Sequence, residues 1–188
     1  MKTYYREADY RVDWMKDLFN SLNHGFNSIQ EKLNNIDYFD GIFAQEQAES
    51  IFGIAFITAQ TYITGTLSDM AAIGGDSKLQ KSEMLSIGSP IITNEITKIL
   101  LINTIANYYK HHEEWTGWKV EGHNRKTIKT LNKCGITEDT QYPCHEAAQI
   151  VWPTEAIFEL NNLLKKIGVR DQLFLIKKIG VRDQLFLI

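Results

Sequence analysis

This sequence of 188 residues has little proline, little cysteine and no diagnostic catalytic motif. Three prolines and few Gly-Pro turn clusters argue against a many-stranded β-sandwich. The two cysteines, Cys134 and Cys144, have neither CxxC spacing nor a second pair, which excludes a disulfide framework and a cysteine-based zinc site. The sequence also has no P-loop and no G-x-S-x-G element.

Long hydrophobic runs are missing as well. The stretch MKTYYREADYR has no apolar signal region, and the most apolar run, Ile51–Thr64, is too short for a bilayer and contains Gln60. We therefore expect a cytoplasmic protein without a membrane segment. The apolar and charged fractions, 44% and 23%, are ordinary for a soluble globular protein, and the length suits one domain.

Apolar residues recur at helical spacing along most of the chain, which predicts an all-α fold, a single-domain helical bundle with a long central helix. The first helix would span Tyr4–Leu22 and end at Asn23-His24-Gly25, and a second, short helix would span residues 26–36. The longest helix is predicted at Tyr38–Asp69. Its apolar surface is wider than one stripe, so we expect neighbouring helices to contact it on several sides. The first helix would bury Tyr10, Trp14, Leu18 and Leu22.

Further helices are predicted after a Gly-rich break at Ala71–Pro90. One, at Asn94–Glu114, would be capped by Thr93 or Asn94. A basic helix at Asn124–Lys133 would bury Ile128 and Leu131 and end at Gly135. The other predicted helices are Lys78–Leu85, His145–Trp152 and Glu155–Lys166, the last capped by Thr154.

The C-terminal region contains an exact tandem repeat. The sequence KKIGVRDQLFLI of residues 165–176 recurs unchanged in residues 177–188. Solenoid repeats need more copies and drift in sequence. We therefore expect a helical domain over residues 1–176, with 177–188 as a surplus tail.

One face of the predicted Asn94–Glu114 helix carries a polar ladder, which we define as Asn103, Asn107, His111 and Glu114. Residues three and four apart share a helical face, and Lys110 lies beside this one. Histidine is the side chain best able to move a proton near neutral pH. The alternative is that the ladder marks only where the helix leaves the core and meets water.

The charge distribution adds a second feature. Met1–Ser50 is rich in Asp and Glu, whereas Leu101–Lys133 is rich in cations that could attract phosphate. A solvated helix face would explain the same charges. Trp115 and Trp118 could either pack the helix end or form a stacking platform. The cations are Lys110, Lys119, Arg125, Lys126, Lys129 and Lys133, against Glu113, Glu114 and Glu121.

A metal site is a weak alternative for the same helices. Glu46 and Glu49 lie one turn apart and could meet His111 and Glu114 between facing helices. The order of the residues differs from the familiar Glu-x-x-His pairs, and no second copy exists. We therefore predict no metal and no cofactor.

The helical organisation and the ladder resemble the HEPN superfamily of all-helical domains, common in prokaryotic toxin and antiphage systems. Their loose motif places an Arg, a polar residue and a His on one helix, as in Ala106-Asn107-Tyr108-Tyr109-Lys110-His111, where Ala106 replaces the Arg. The resemblance implies a metal-independent ribonuclease that works as a dimer. His111 would then act in acid–base transfer, Lys110 would neutralise phosphate and Asn107 would orient it.

Two functions follow as expectations. The first is an RNA-directed protein of a defence or toxin–antitoxin system, either a ribonuclease or a degenerate RNA-binding form. The second is a non-catalytic interaction or immunity-type protein with a toxin or antitoxin partner, favoured by the missing Arg and the acidic N-terminal half. A small-molecule pocket around Asn107 and His111 is a weaker third. Substrate contacts are predicted from Asn103, Glu114, Trp115, Trp118, Lys119 and Arg125.

Overall fold

The computed structural model describes residues 11–36, 39–74, 85, 91–93 and 95–152, which form a helical bundle with one short antiparallel sheet. The predicted all-α fold with a long helix is confirmed. The helices are α1 (Arg11–Asn35), α2 (Gly41–Gly74), α3 (Lys98–His111), α4 (Arg125–Lys133) and α5 (Pro143–Val151). The strands are β1 (Ile91–Thr93) and β2 (Ile96–Thr97), and the 3-10 turns are His112–Glu114 and Gly122–Asn124.

Helix α1 is continuous, so the predicted stop at Asn23-His24-Gly25 was wrong. Gly25 lies inside the helix, where a Cβ would stand 3.4 Å from the Ile51 side chain of α2. Packing between the two helices outweighs the helix-propensity cost of glycine, about 1 kcal/mol.

The buried face of α1 was also predicted wrongly. Trp14 is 40% exposed and Leu18 43% exposed. An uninterrupted helix instead brings a longer apolar series onto one face, at alternating spacings of four and three residues. Its members are Met15, Phe19, Leu22, Phe26 and Ile29, which are buried or pack against buried residues.

Helix α2 is the central element, as predicted. It begins at Gly41, where the Asp40 carboxylate accepts a hydrogen bond from the Phe43 amide at 2.8 Å, an N-cap contact. It packs against α1, α3 and α5. Its core residues include Phe52, Ala55, Phe56, Ala59 and Tyr62, all at most 3% exposed.

Among the described residues, Gly41–Asp69 is long and apolar enough to cross a membrane by length and composition alone. Within that helix, 56% of the most apolar window is buried inside the protein. Such burial is typical of the core helix of a soluble protein, and no clear membrane span is present in the described part of the chain.

Helix α3 begins later than predicted. The cap is Thr97, not Thr93 or Asn94, because Ile91–Thr93 and Ile96–Thr97 form the β1–β2 pair instead of a first helical turn. β-Branched residues favour that extended conformation. The Thr97 hydroxyl accepts from the Leu100 amide at 3.0 Å and donates to the Leu85 carbonyl at 2.7 Å.

Helices α4 and α5 follow the sequence pattern closely. Ile128 and Leu131 are fully buried, as predicted. Gly135, with φ +81°, ends α4 in a Schellman motif, since the Ile136 amide donates to the Leu131 carbonyl at 3.0 Å. Helix α5 starts two residues before the predicted His145, with Pro143 in its first turn.

Several predictions lie outside the described residues. These are the first helical turns at residues 4–10, most of the predicted 78–85 helix, the predicted Glu155–Lys166 helix with its Thr154 cap, and both copies of the terminal repeat with the proposed boundary at 176.

The close approach of α2 and α3 depends on Gly53. A Cβ at this position would lie 2.3 Å from the Tyr109 ring. We expect Gly53→Ala to destabilise the fold by about 1–3 kcal/mol, since overpacking outweighs the gain in helix propensity. Gly41→Ala is the matched control, because nothing lies within 4 Å of its Cβ position. Equal urea midpoints for the two variants would contradict this contact.

Candidate functional site

The part of the polar ladder nearest the N-terminus of α3 is joined to α2 by a buried glutamine. Gln60 is 7% exposed, and its Nε2 donates to Asn103 Oδ1 at 2.9 Å and to Asn107 Oδ1 at 3.0 Å. Its Oε1 accepts from Lys110 Nζ at 2.8 Å. We call these four residues the Gln60 network. It satisfies a polar side chain that would otherwise be buried without a partner.

This network changes the interpretation of two predicted catalytic residues. The structure brings Asn103, Asn107 and Lys110 together, as predicted. However, the side chains of Asn107 and Lys110 are hydrogen-bonded to Gln60, a contact that holds α3 against α2. Lys110 is exposed and its ammonium group has three donors, so the contact with Gln60 leaves it able to bind phosphate, whereas the Asn107 amide is committed to helix packing.

His111 lies at the exposed end of the ladder. Its Nδ1 is 3.4 Å from Glu114 Oε1, and the two side chains are 51% and 72% exposed. A carboxylate near Nδ1 can orient an imidazole for proton transfer at Nε2. The distance is long for a hydrogen bond and the pair is open to water, so the orientation is weakly held.

Ala106, where the resemblance to the HEPN motif would place an arginine, lies in the core. It is fully buried among the apolar residues between the helices. An arginine there would place an unpaired charge in the core. Position 106 therefore cannot carry an arginine without disturbing the fold.

The tryptophans that follow α3 surround Tyr108. The Trp115 and Trp118 rings each lie 5.7 Å from the Tyr108 ring, at interplanar angles of 72° and 60°. His112 stacks on Tyr108 at 4.8 Å. Burial, reinforced by Cys144 and Glu49, raises the pKa of Tyr108 to about 12.

The predicted cations form an exposed surface rather than a pocket. Lys119 and Arg125 are exposed and have no hydrogen bond or ion pair to the ladder within the described part of the chain. Helix α4 carries four cations and no carboxylate. Of these, Lys133 pairs with Glu95, which lowers the pKa of that carboxyl group.

Glu49, a candidate metal ligand in the sequence, has a structural role as a helix cap. Its carboxylate accepts hydrogen bonds from the Cys144 and His145 amides at 2.7 and 2.9 Å, which caps the N-terminus of α5. The described residues contain no group of three or more His, Cys, Asp or Glu side chains placed to hold a metal ion.

A cleft of about 370 Å³ lies away from the ladder, between the start of α2 and the segment joining α4 to α5. Its lining includes Gln45, Cys134, Asp139, Tyr142 and Glu146. The predicted pocket around Asn107 and His111 is not this cleft, since neither residue lines it.

Sequence reasoning missed Gln60, Glu49 and His112 as partners in these contacts. Gln60 was considered only as a polar residue within an apolar run, and Glu49 as a candidate metal ligand. The signal was their position, because a polar residue on the buried face of a helix needs a partner.

Comparisons with protein-family models, curated proteins and solved structures found no match to this chain.

A double-mutant cycle tests the Gln60 network. Gln60→Leu combined with Asn107→Ala should show a coupling of about 0.5–3 kcal/mol in the free energy of unfolding, because the two residues share a hydrogen bond. The effects of Gln45→Leu and Asn107→Ala on the free energy of unfolding should add, since Gln45 lies near the start of α2 and outside the Gln60 network. If the effects add in both cycles, the hydrogen bond between Gln60 and Asn107 contributes nothing to the free energy of unfolding.

The two cysteines should differ in reactivity. Cys144 is fully buried, and burial together with the Glu49 carboxylate raises the pKa of its thiol far above the usual range. Little thiolate then forms in mildly alkaline buffer. In Cys134→Ala protein, a thiol reagent should modify Cys144 only after unfolding, whereas in Cys144→Ala protein the half-buried Cys134 should react sooner. Rapid modification of folded Cys134→Ala protein would contradict this burial.

Proposed function

We propose that this protein is an RNA-binding helical domain, a degenerate HEPN-like form that binds RNA without cutting it. The observation that carries the proposal is the basic helix α4, which has four cations and no carboxylate of its own. Its exposed cations include Arg125, Lys126 and Lys129, and Lys119 precedes them in the chain. Phosphate neutralisation by such residues supplies most of the sequence-independent affinity for nucleic acids.

Three observations favour binding over cleavage. Asn107 is hydrogen-bonded to Gln60, so its side chain serves helix packing. Ala106 is buried where the family has its arginine. His111 is left with one exposed, weakly oriented carboxylate partner. The setting that the resemblance implies, a prokaryotic defence or toxin–antitoxin system in the cytoplasm, is part of this proposal.

The proposal predicts a salt-dependent affinity for RNA that needs α4. About three phosphate contacts to a single strand would give a log–log salt slope near −2. Arg125→Gln with Lys129→Gln should lower this slope and weaken binding about tenfold or more, as measured by fluorescence anisotropy. Lys16→Gln with Lys32→Gln, an equal charge change on α1, is the control.

Two outcomes would contradict the proposal. If the double α4 variant binds RNA as tightly as the α1 control, α4 is not the binding face. If purified wild-type protein cuts RNA and His111→Ala abolishes cutting while keeping the melting temperature, the protein is a ribonuclease.

The second candidate is a non-catalytic interaction protein, favoured by apolar side chains that remain exposed. Trp14 and Leu18 lie one turn apart on α1, and Ile54 on α2 is 46% exposed. Exposed apolar side chains that are neighbours on a helix, as Trp14 and Leu18 are, favour a protein-binding surface. If the partner is a second copy of the chain, light scattering should show a dimer that Trp14→Ser with Leu18→Ser dissociates. A monomer at all concentrations would contradict self-association.

A further inference from the structure

The basic face of α4 ends at a fixed indole. Trp118 Nε1 donates a hydrogen bond to Asn132 Oδ1 at 2.9 Å. Arg125, Lys129 and Asn132 are exposed and spaced by four and three residues, which places them along one side of the helix. Two cations therefore lead along about 10 Å of helix to the residue that holds the Trp118 ring.

The neighbouring rings are held in place before any ligand arrives. Trp115 and Trp118 both pack against Tyr108, whose ring is stacked on His112. Each indole nevertheless stays partly exposed to solvent. Fixed, partly exposed aromatic rings beside a line of cations are the arrangement by which proteins bind single-stranded nucleic acids, with bases on the rings and phosphates on the cations.

We propose that this surface, formed by Trp115, Trp118, Arg125 and Lys129, selects single-stranded RNA over duplex RNA. The inference rests on the RNA-binding function proposed above and specifies the form of the ligand. Unpaired bases can leave the strand and stack on the indoles, whereas an A-form duplex keeps its bases inside and offers mainly phosphates and 2′-hydroxyls. Arg125 and Lys129 would bind the phosphates that flank the stacked bases.

The test compares a short oligouridylate with a short RNA duplex in anisotropy titrations. Wild-type protein should bind the single strand more tightly. Trp115→Leu should weaken single-strand binding about fivefold or more while leaving duplex binding unchanged, because one stacking partner is lost. Trp115→Phe should restore most of the affinity, and Trp14→Leu, which changes an indole on α1, should have no effect.

A second measurement leaves the proposed surface unaltered. In Trp14→Phe protein, the oligouridylate should quench tryptophan fluorescence, because bases stack on Trp115 and Trp118. Equal binding of single strand and duplex, without quenching, would overturn the single-strand inference and leave the RNA-binding function standing. Failure of wild-type protein to bind either RNA would overturn both.

Discussion

The packing of the helical bundle depends on the hydrogen bonds that one buried side-chain amide makes. Helix α2 has no charged residue between Glu49 and Asp69, and Gln60 is buried in the middle of that stretch. Leaving such an amide unpaired would cost about 1–3 kcal/mol. The Gln60 network satisfies it from α3, and the Gly53–Tyr109 contact lets the helices approach. Together they fix how α3 is rotated and positioned along α2.

The Gln60 network separates the residues that hold the helices together from those that are available to bind a ligand. The ladder residues closest to the core stabilise helix packing, and only His111 and Glu114 remain at the exposed end. The polar groups available to a large ligand lie further along the chain, on α4 and around the two tryptophans. We propose that α3, which looks catalytic in sequence, serves mainly to position the basic surface of α4 next to it.

Local patterns predicted the long central helix, the burial of Ile128 and Leu131, and the Gly135 cap, because each depends on residues a few positions apart. Helix α1 continues through Gly25 in a region that packs against α2, and no local pattern reveals that packing. The same limit applies to the candidate site. The ladder was visible as a helical face, but its partner Gln60 lies 43 to 47 positions away in sequence, and Glu49 lies about 95 positions from the α5 amides it caps.

We propose that the Gln60 network serves helix packing, whereas the surface formed by Trp115, Trp118, Arg125 and Lys129 binds RNA. A nitrogen–proton correlation spectrum recorded during titration with oligouridylate tests this division of roles most directly, because side-chain amides and indoles give separate signals. We predict that the indole signals of Trp115 and Trp118 and the backbone amides of α4 shift, while the Gln60 and Asn107 side-chain amides do not. Shifts of those two amides with unchanged indole signals would contradict the account and return the binding site to the ladder.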